Sequence, residues 1–180
     1  MSYTSAGSIV TQTKDWITNV VVGCHFCPFA AKEVMRNSIY YEVLDKSTTE
    51  TVLKGVIKML YRLDDTAAFE TSFLIIPEGF GSFNQFLRVL ELAETLLAKE
   101  KYEGIYQLAG FHPKYLFAGS TDEDPSNFTN RSPYPMIHFL REASVSKAVD
   151  NYPGIDEIPD RNIAFTKEKG LIFMQKLMGG

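Results

Sequence analysis

The chain has 180 residues, 45% of them hydrophobic and 22% charged, enough for one domain with a substantial core. Its net charge of −4 and its lack of any basic run argue against generic nucleic-acid binding. No stretch approaches the roughly 18 apolar residues of a membrane span, and MSYTSAGSIVTQTKDW has no basic-then-apolar order, so a cytoplasmic location is expected.

In chain order, residues 1–11 read as a flexible lead-in. Trp16, Ile17, Val20, Val21 and Cys24 fall at helical spacing, so 12–22 reads as a helix ended by Gly23, although VVV alone suits a strand. A second helix begins at Cys27-Pro28, because proline suits the first helical position and Ala30 to Met35 sustain it. IYYEVL (39–44) alternates and reads as a strand. Ser47-Thr-Thr-Glu50 has capping-box spacing ahead of an amphipathic helix through Val52, Val56, Met59 and Leu63. SFLIIP (72–77) is an apolar run of strand length. Ser82-Phe-Asn-Gln85 offers another capping box before a helix to Lys101, and GIYQLAGFH (104–112) is a third strand.

That order predicts an α/β (or α+β) single domain over 1–180. Its βαβαβ units would form a small, mainly parallel sheet of three or four strands packed with helices. A long motif loop and C-terminal helices complete it. KYLFAGSTDEDPSNFTNRSPYP is longer than connections in compact domains usually are. Its aromatics Tyr115, Phe117, Phe128 and Tyr134 argue for order. MIHFLREASVSKAV continues as a helix, YPGIDEIPDRN as turns, and 165–178 as a final helix.

Within NRSPYPMIHFLRE, Ser132 as N-cap with Pro133 or Pro135 in the first turn starts a helix near Tyr134. His138 and Glu142 then stand one turn apart, with Arg141 beside them. Arg131 falls just before the free N–H groups that favour an anion. One reading is a phosphate or carboxylate pocket, with arginine as bidentate clamp and histidine as proton carrier. The commoner outcome for such spacing is a solvated helix face with a Glu–His–Arg network. His112 ends the third strand, where ligands of open α/β sheets bind; the plainer alternative is a strand-end histidine bonded to a loop carbonyl. Asp122 and Asp124 are candidate metal ligands or bases, but DEDP is foremost a turn sequence.

Cys24 and Cys27 do not make a disulfide framework, so the neighbouring sequons at Asn127 and Asn130 read as incidental. Cys27 would be an N-cap residue whose thiol pKa the helix lowers. A zinc set of Cys24, Cys27, His112 and His138 is arithmetically possible but lacks a second closely spaced pair.

Cys27-Pro-Phe-Ala30, Phe111-His-Pro-Lys-Tyr115 with Phe117-Ala-Gly119, and Thr129-Asn-Arg-Ser-Pro-Tyr-Pro-Met136 with His138 and Leu140-Arg-Glu142 carry a resemblance. With Ile158-Pro-Asp-Arg-Asn162 they resemble an uncharacterised bacterial family, domain of unknown function 1415, over 16–162. The resemblance implies family positions at Cys27, His112, Asn130, Arg131, His138, Arg141, Glu142 and Arg161. It does not include Cys24, so a disulfide or zinc site using Cys24 would be peculiar to this chain.

Three functions stay open at this point. The first is an enzyme-like protein with a small anionic ligand as partner, using His112, His138 and Glu142 for acid–base chemistry. Asn130, Arg131, Ser132, Tyr134, Arg141 and Arg161 would bind the ligand. The second is a thiol-dependent redox or transfer protein using Cys27. The third is a non-catalytic binding protein, whose arginines would lie against backbone with no cavity between the histidines. No metal ligands are assigned, no nucleic acid or membrane partner is expected, and cofactor and oligomeric state stay unassigned. The first function requires both imidazoles to line one hollow.

Overall fold

Because strand side chains alternate between faces, pairing decides which helices each residue meets. A computed structural model describes residues 4–179. Four strands, β1 (Ile39–Val43), β2 (Thr71–Ile75), β3 (Tyr106–Phe111) and β4 (Met136–Arg141), form one sheet in the order β1-β2-β4-β3. β1 and β2 pair in parallel through the crossover helix α3 (Thr49–Asp65). α4 (Phe83–Lys99) returns the chain so that β3 runs the same way as β2. β4 is inserted between them, antiparallel to both. The fold is thus a single α/β domain with a mixed sheet, three strands sharing a direction and one opposing them.

β4 corrects the expected helix at MIHFLR. The chain coils only afterwards, as α5 (Glu142–Asp150). Both faces of this strand are covered, so apolar residues fall on each of them, at four of its six positions, and its pattern resembles a buried helix. Ile137 and Phe139 join Leu74, Ile76 and Tyr106 against Val56, Met59 and Leu63 of α3 and Phe86 and Ala93 of α4. On the opposite face, Met136, Phe73 and Ile75 meet Trp16, Ile17, Phe26, Phe128 and Met174. Burying each large apolar side chain contributes about 1.5–3 kcal/mol. An exposed pair such as Lys54–Glu50, 75% and 74% exposed, adds little, because solvent and salt screen it. The two apolar layers hold the fold.

The helix boundaries show where local signals were displaced. α1 (Ala6–Trp16) begins inside the expected lead-in, with Ser5 Oγ accepting from the Ser8 N–H at 3.2 Å and Ile9 buried. Residues 1–3 of that lead-in lie outside the described residues. Ahead of α3 the capping box sits one residue later than expected: Thr48 and Thr51 exchange backbone-to-hydroxyl bonds. Ser82 precedes α4 without a side-chain cap bond. α2 (Ala30–Arg36) starts after Phe29, so Cys27 does not cap it. The expected last helix is two helices, α6 (Ile158–Lys169) and α7 (Leu171–Leu177), separated by Gly170 at φ 78°. α6 begins within the stretch read as turns. Among the described residues, no helix is long and apolar enough to cross a membrane.

α1 widens into a π-helical segment over Ile17–Val22 that ends at Gly23, as read. The wider turn brings the Asn19 carbonyl oxygen to 2.2 Å from where a Gly23 Cβ would stand. Gly23→Ala is therefore expected to cost about 1–3 kcal/mol despite alanine's better helix propensity. Urea unfolding measures it, and an unchanged or raised midpoint would show that this turn relaxes freely.

Candidate functional site

The motif loop after β3 is built on a residue that the sequence reading set aside. Asn127, fully buried, donates from Nδ2 to Thr121 O at 2.8 Å and accepts the Phe117 N–H at Oδ1 at 3.0 Å. Its carbonyl accepts the N–H groups of Asn130 and Arg131. Asp124 caps the 3-10 turn Pro125–Thr129 through the Ser126 N–H, which holds its carboxyl below the usual range. The turn reading of DEDP is the one realised. An aspartate before proline followed by Asn-x-Thr was the available signal for this local hydrogen bonding.

Arg131 lies across the loop. Its Nε donates to Tyr115 O at 3.2 Å, one Nη donates to Asp122 O at 3.0 Å, and the guanidinium sits 4.7 Å from the Phe128 ring centre. The Asp122 carboxylate, 3.8 Å away, is 87% exposed and adds little. Trp16 Nε1 donates to Arg131 O at 3.0 Å, tying the loop to α1. Ser132 caps no helix; its Oγ donates to Tyr134 O at 2.6 Å. The Tyr134 hydroxyl donates to Gln12.

The histidines do not share a hollow. His112, 1% exposed, packs against Phe83 and Phe86 on the α3–α4 side. Its Nδ1 accepts the Lys114 N–H at 2.9 Å, so Nε2 carries the proton and donates to Phe80 O at 2.8 Å. His138 lies on the opposite face, stacked on Phe73 at 4.1 Å and paired across from Ala109. Thr71 Oγ1 donates to Phe139 O, so its lone pair receives the Nε2–H of His138 at 2.6 Å. Burial lowers the pKa of both, that of His138 to about 3. Both are neutral groups fixed by protein partners.

The other candidates scatter. Arg141, at the end of β4, donates to Tyr106 Oη at 2.9 Å, Leu63 O at 2.6 Å and Phe69 O at 3.2 Å. Asp64, which the sequence reading missed, accepts from the Tyr102 and Tyr106 hydroxyls at 2.6 and 2.7 Å. Burial and the Asp64 carboxylate push Tyr106 up to about 12. These side chains join α3, β3 and β4; positions 38 and 42 residues apart carry no sequence signal of their meeting. Arg161 donates to His25 O at 2.6 Å and Asn162 to Phe26 O at 2.9 Å, so α6 clamps the turn where His25 has φ 56°. The Glu142 carboxylate begins α5 and meets no partner among the described residues. Burial pushes the Cys24 thiol up, and Cys27 lies in a turn without the expected cap. Among the described residues no three His, Cys, Asp or Glu side chains gather as metal ligands, so the zinc set is dispersed.

A cavity does open at the outer edge of β3. Phe83, Phe86, Leu87 and Leu90 of α4 form one wall, and Ala109 and Gly110 form the floor. Tyr115 and Asn130 of the motif loop close the end, around about 240 Å³. Burial raises the Tyr115 hydroxyl pKa, partly offset by the Asn130 side chain. Apolar walls with two neutral polar groups at one end suit an apolar group bearing a hydrogen-bonding edge. Of the expected ligand residues, only Asn130 lines this notch.

No curated protein and no solved structure matches the chain. Residues 8–176 match the family described as "Protein of unknown function (DUF1415)". The resemblance at the cysteine, histidine and Asn-Arg-Ser-Pro-Tyr-Pro motifs therefore extends over nearly the whole fold, and the chain belongs to the DUF1415 family.

Proposed function

We propose that this chain is a non-catalytic binding protein. Its motif loop is a rigid brace, and its ligand enters the notch between α4, the β3 edge and Tyr115–Asn130. The observation that carries the reading is the use of the arginines. Arg131, Arg141 and Arg161 each donate to main-chain carbonyl oxygens, Arg131 across its own loop and the other two to distant segments, and they do so in three separate places. A bound anion would have to displace those bonds, and at Arg141 it would leave the part-buried carbonyls of Leu63 and Phe69 without their donor, at about 1–3 kcal/mol each. The two neutral imidazoles on opposite faces provide no acid–base pair.

Titration with inorganic phosphate and with citrate is expected to produce no saturable rise in Tm beyond that in chloride of equal ionic strength. Small aromatic and branched aliphatic fragments are expected to shift the amide resonances of Leu87, Leu90 and Gly110 instead. A saturable phosphate effect that moves the Arg131 side-chain resonance would restore the anion site and remove this reading.

A further inference from the structure

The register of β3 determines which of its backbone groups are engaged. Glu142 donates its N–H to Ile105 O at 3.0 Å, so Ile105, Gln107, Ala109 and Phe111 bond toward β4. Tyr106, Leu108 and Gly110 therefore point outward. The outward N–H of Tyr106 is taken by Tyr102 O, and that of His112, just beyond, by Asn130 O. Between those two closures, the N–H groups of Leu108 and Gly110 and the intervening carbonyls have no partner among the described residues.

Edge strands normally carry a charge, a proline or a bulge that blocks pairing. β3, YQLAGF, has no charge and no proline. The other edge strand, β1, carries Glu42 bonded to Lys58. The notch opens beside Gly110, on the face where an added strand would place alternate side chains. Glu91 and Glu94 are exposed, one helical turn beyond Leu87 and Leu90, toward the Tyr106 end of the strand.

We propose that the β3 edge takes up an extended peptide segment of a partner protein as a fifth strand, seating an apolar side chain in the notch and a lysine or arginine near Glu91 and Glu94. This rests on the binding reading above and names its partner class. Main-chain bonds to Leu108 and Gly110 supply affinity, and the notch supplies selectivity. A second copy of this chain is a poorer occupant. In a two-fold pairing of β3 with itself, the residues reaching that face are Tyr106, Leu108 and Gly110. The first is 1% exposed, the second packs on the same core, and the third has no side chain, so the notch would stay unfilled.

Amide exchange on the free chain tests the edge first. Leu108 and Gly110 are expected to exchange on the order of 100-fold faster than Ala109. A displayed library of random twelve-residue peptides, selected on the whole protein and counter-selected on Leu108→Pro, is expected to enrich alternating sequences with a central aromatic or branched residue and a basic neighbour. Synthetic copies should then slow exchange at Leu108 and Gly110, and copies N-methylated at alternate amides should not, a comparison that needs only the wild-type chain. No enrichment over the proline variant overturns the proposal, as do peptides that leave those two amides exposed. Protection that grows with protein concentration alone, without peptide, also overturns it in favour of self-pairing. Failure here leaves the notch open to a small ligand, whereas a saturable phosphate site removes the underlying binding reading by a different measurement.

Discussion

Acidification from pH 7 to pH 5 is expected to remove up to about 2 kcal/mol of stability through His138 alone. The folded imidazole is held neutral, with its pKa lowered by burial from 6.5 to about 3. The unfolded chain therefore binds more protons below pH 6.5, and stability falls as pH drops through that value and on toward about 3. Above pH 6.5 the effect is absent. His112, also lowered by burial, adds in the same direction. Urea unfolding at pH 7 and pH 5 measures the loss. His138→Phe keeps a ring on Phe73 while removing the titration, so the variant should lose less than the wild type on acidification. Equal losses in the two proteins would mean that His138 protonates as freely in the fold as outside it.

Arg141→Ala is expected to cost about 3–5 kcal/mol, with a Tm lower by about 10 °C. The guanidinium is the partner of Leu63 O, Phe69 O and the Tyr106 hydroxyl, which belong to the end of α3, the loop before β2 and the start of β3. Removing it leaves carbonyls facing a space that water enters poorly. Arg141→Lys should recover less than half of the loss, because one ammonium cannot span the three acceptors as a planar fork does. Asp122→Ala, by contrast, removes an exposed partner 3.8 Å from Arg131 and should move stability by less than about 0.5 kcal/mol. If Arg141→Ala melts with the wild type, these acceptors find other donors and the guanidinium is not what joins the three segments.

The motif residues bond chiefly to the protein's own backbone. Arg131 and Asn127 shape the loop, His112 ties it to the turn at Phe80, and Arg161 with Asn162 holds the turn at His25 and Phe26. Rigid polar side chains bonded to backbone are a means of giving one conformation to segments too irregular for ladder bonds. Such bonds take up the arginine donors at the two ends of NRSPYPMIHFLRE in separate parts of the fold.

The amino-acid sequence by itself determined three strands and two long amphipathic helices: IYYEVL, SFLIIP and GIYQLAGFH, with α3 and α4 between them. Each carries its own periodicity and end signals over enough residues to outweigh the alternatives. Its aromatics also marked the long loop after β3 as ordered, although not Asn127 as the residue that organises it. Only the tertiary structure decided that MIHFLR is a strand, because a segment apolar on both faces reveals its conformation through its neighbours rather than through spacing. With β4 inserted, His112 and His138 fall on opposite sides of the sheet, Arg141 reaches α3, and β3 becomes an edge. Which face and which edge a residue occupies depends on strand order, and strand order is set by contacts between distant parts of the chain.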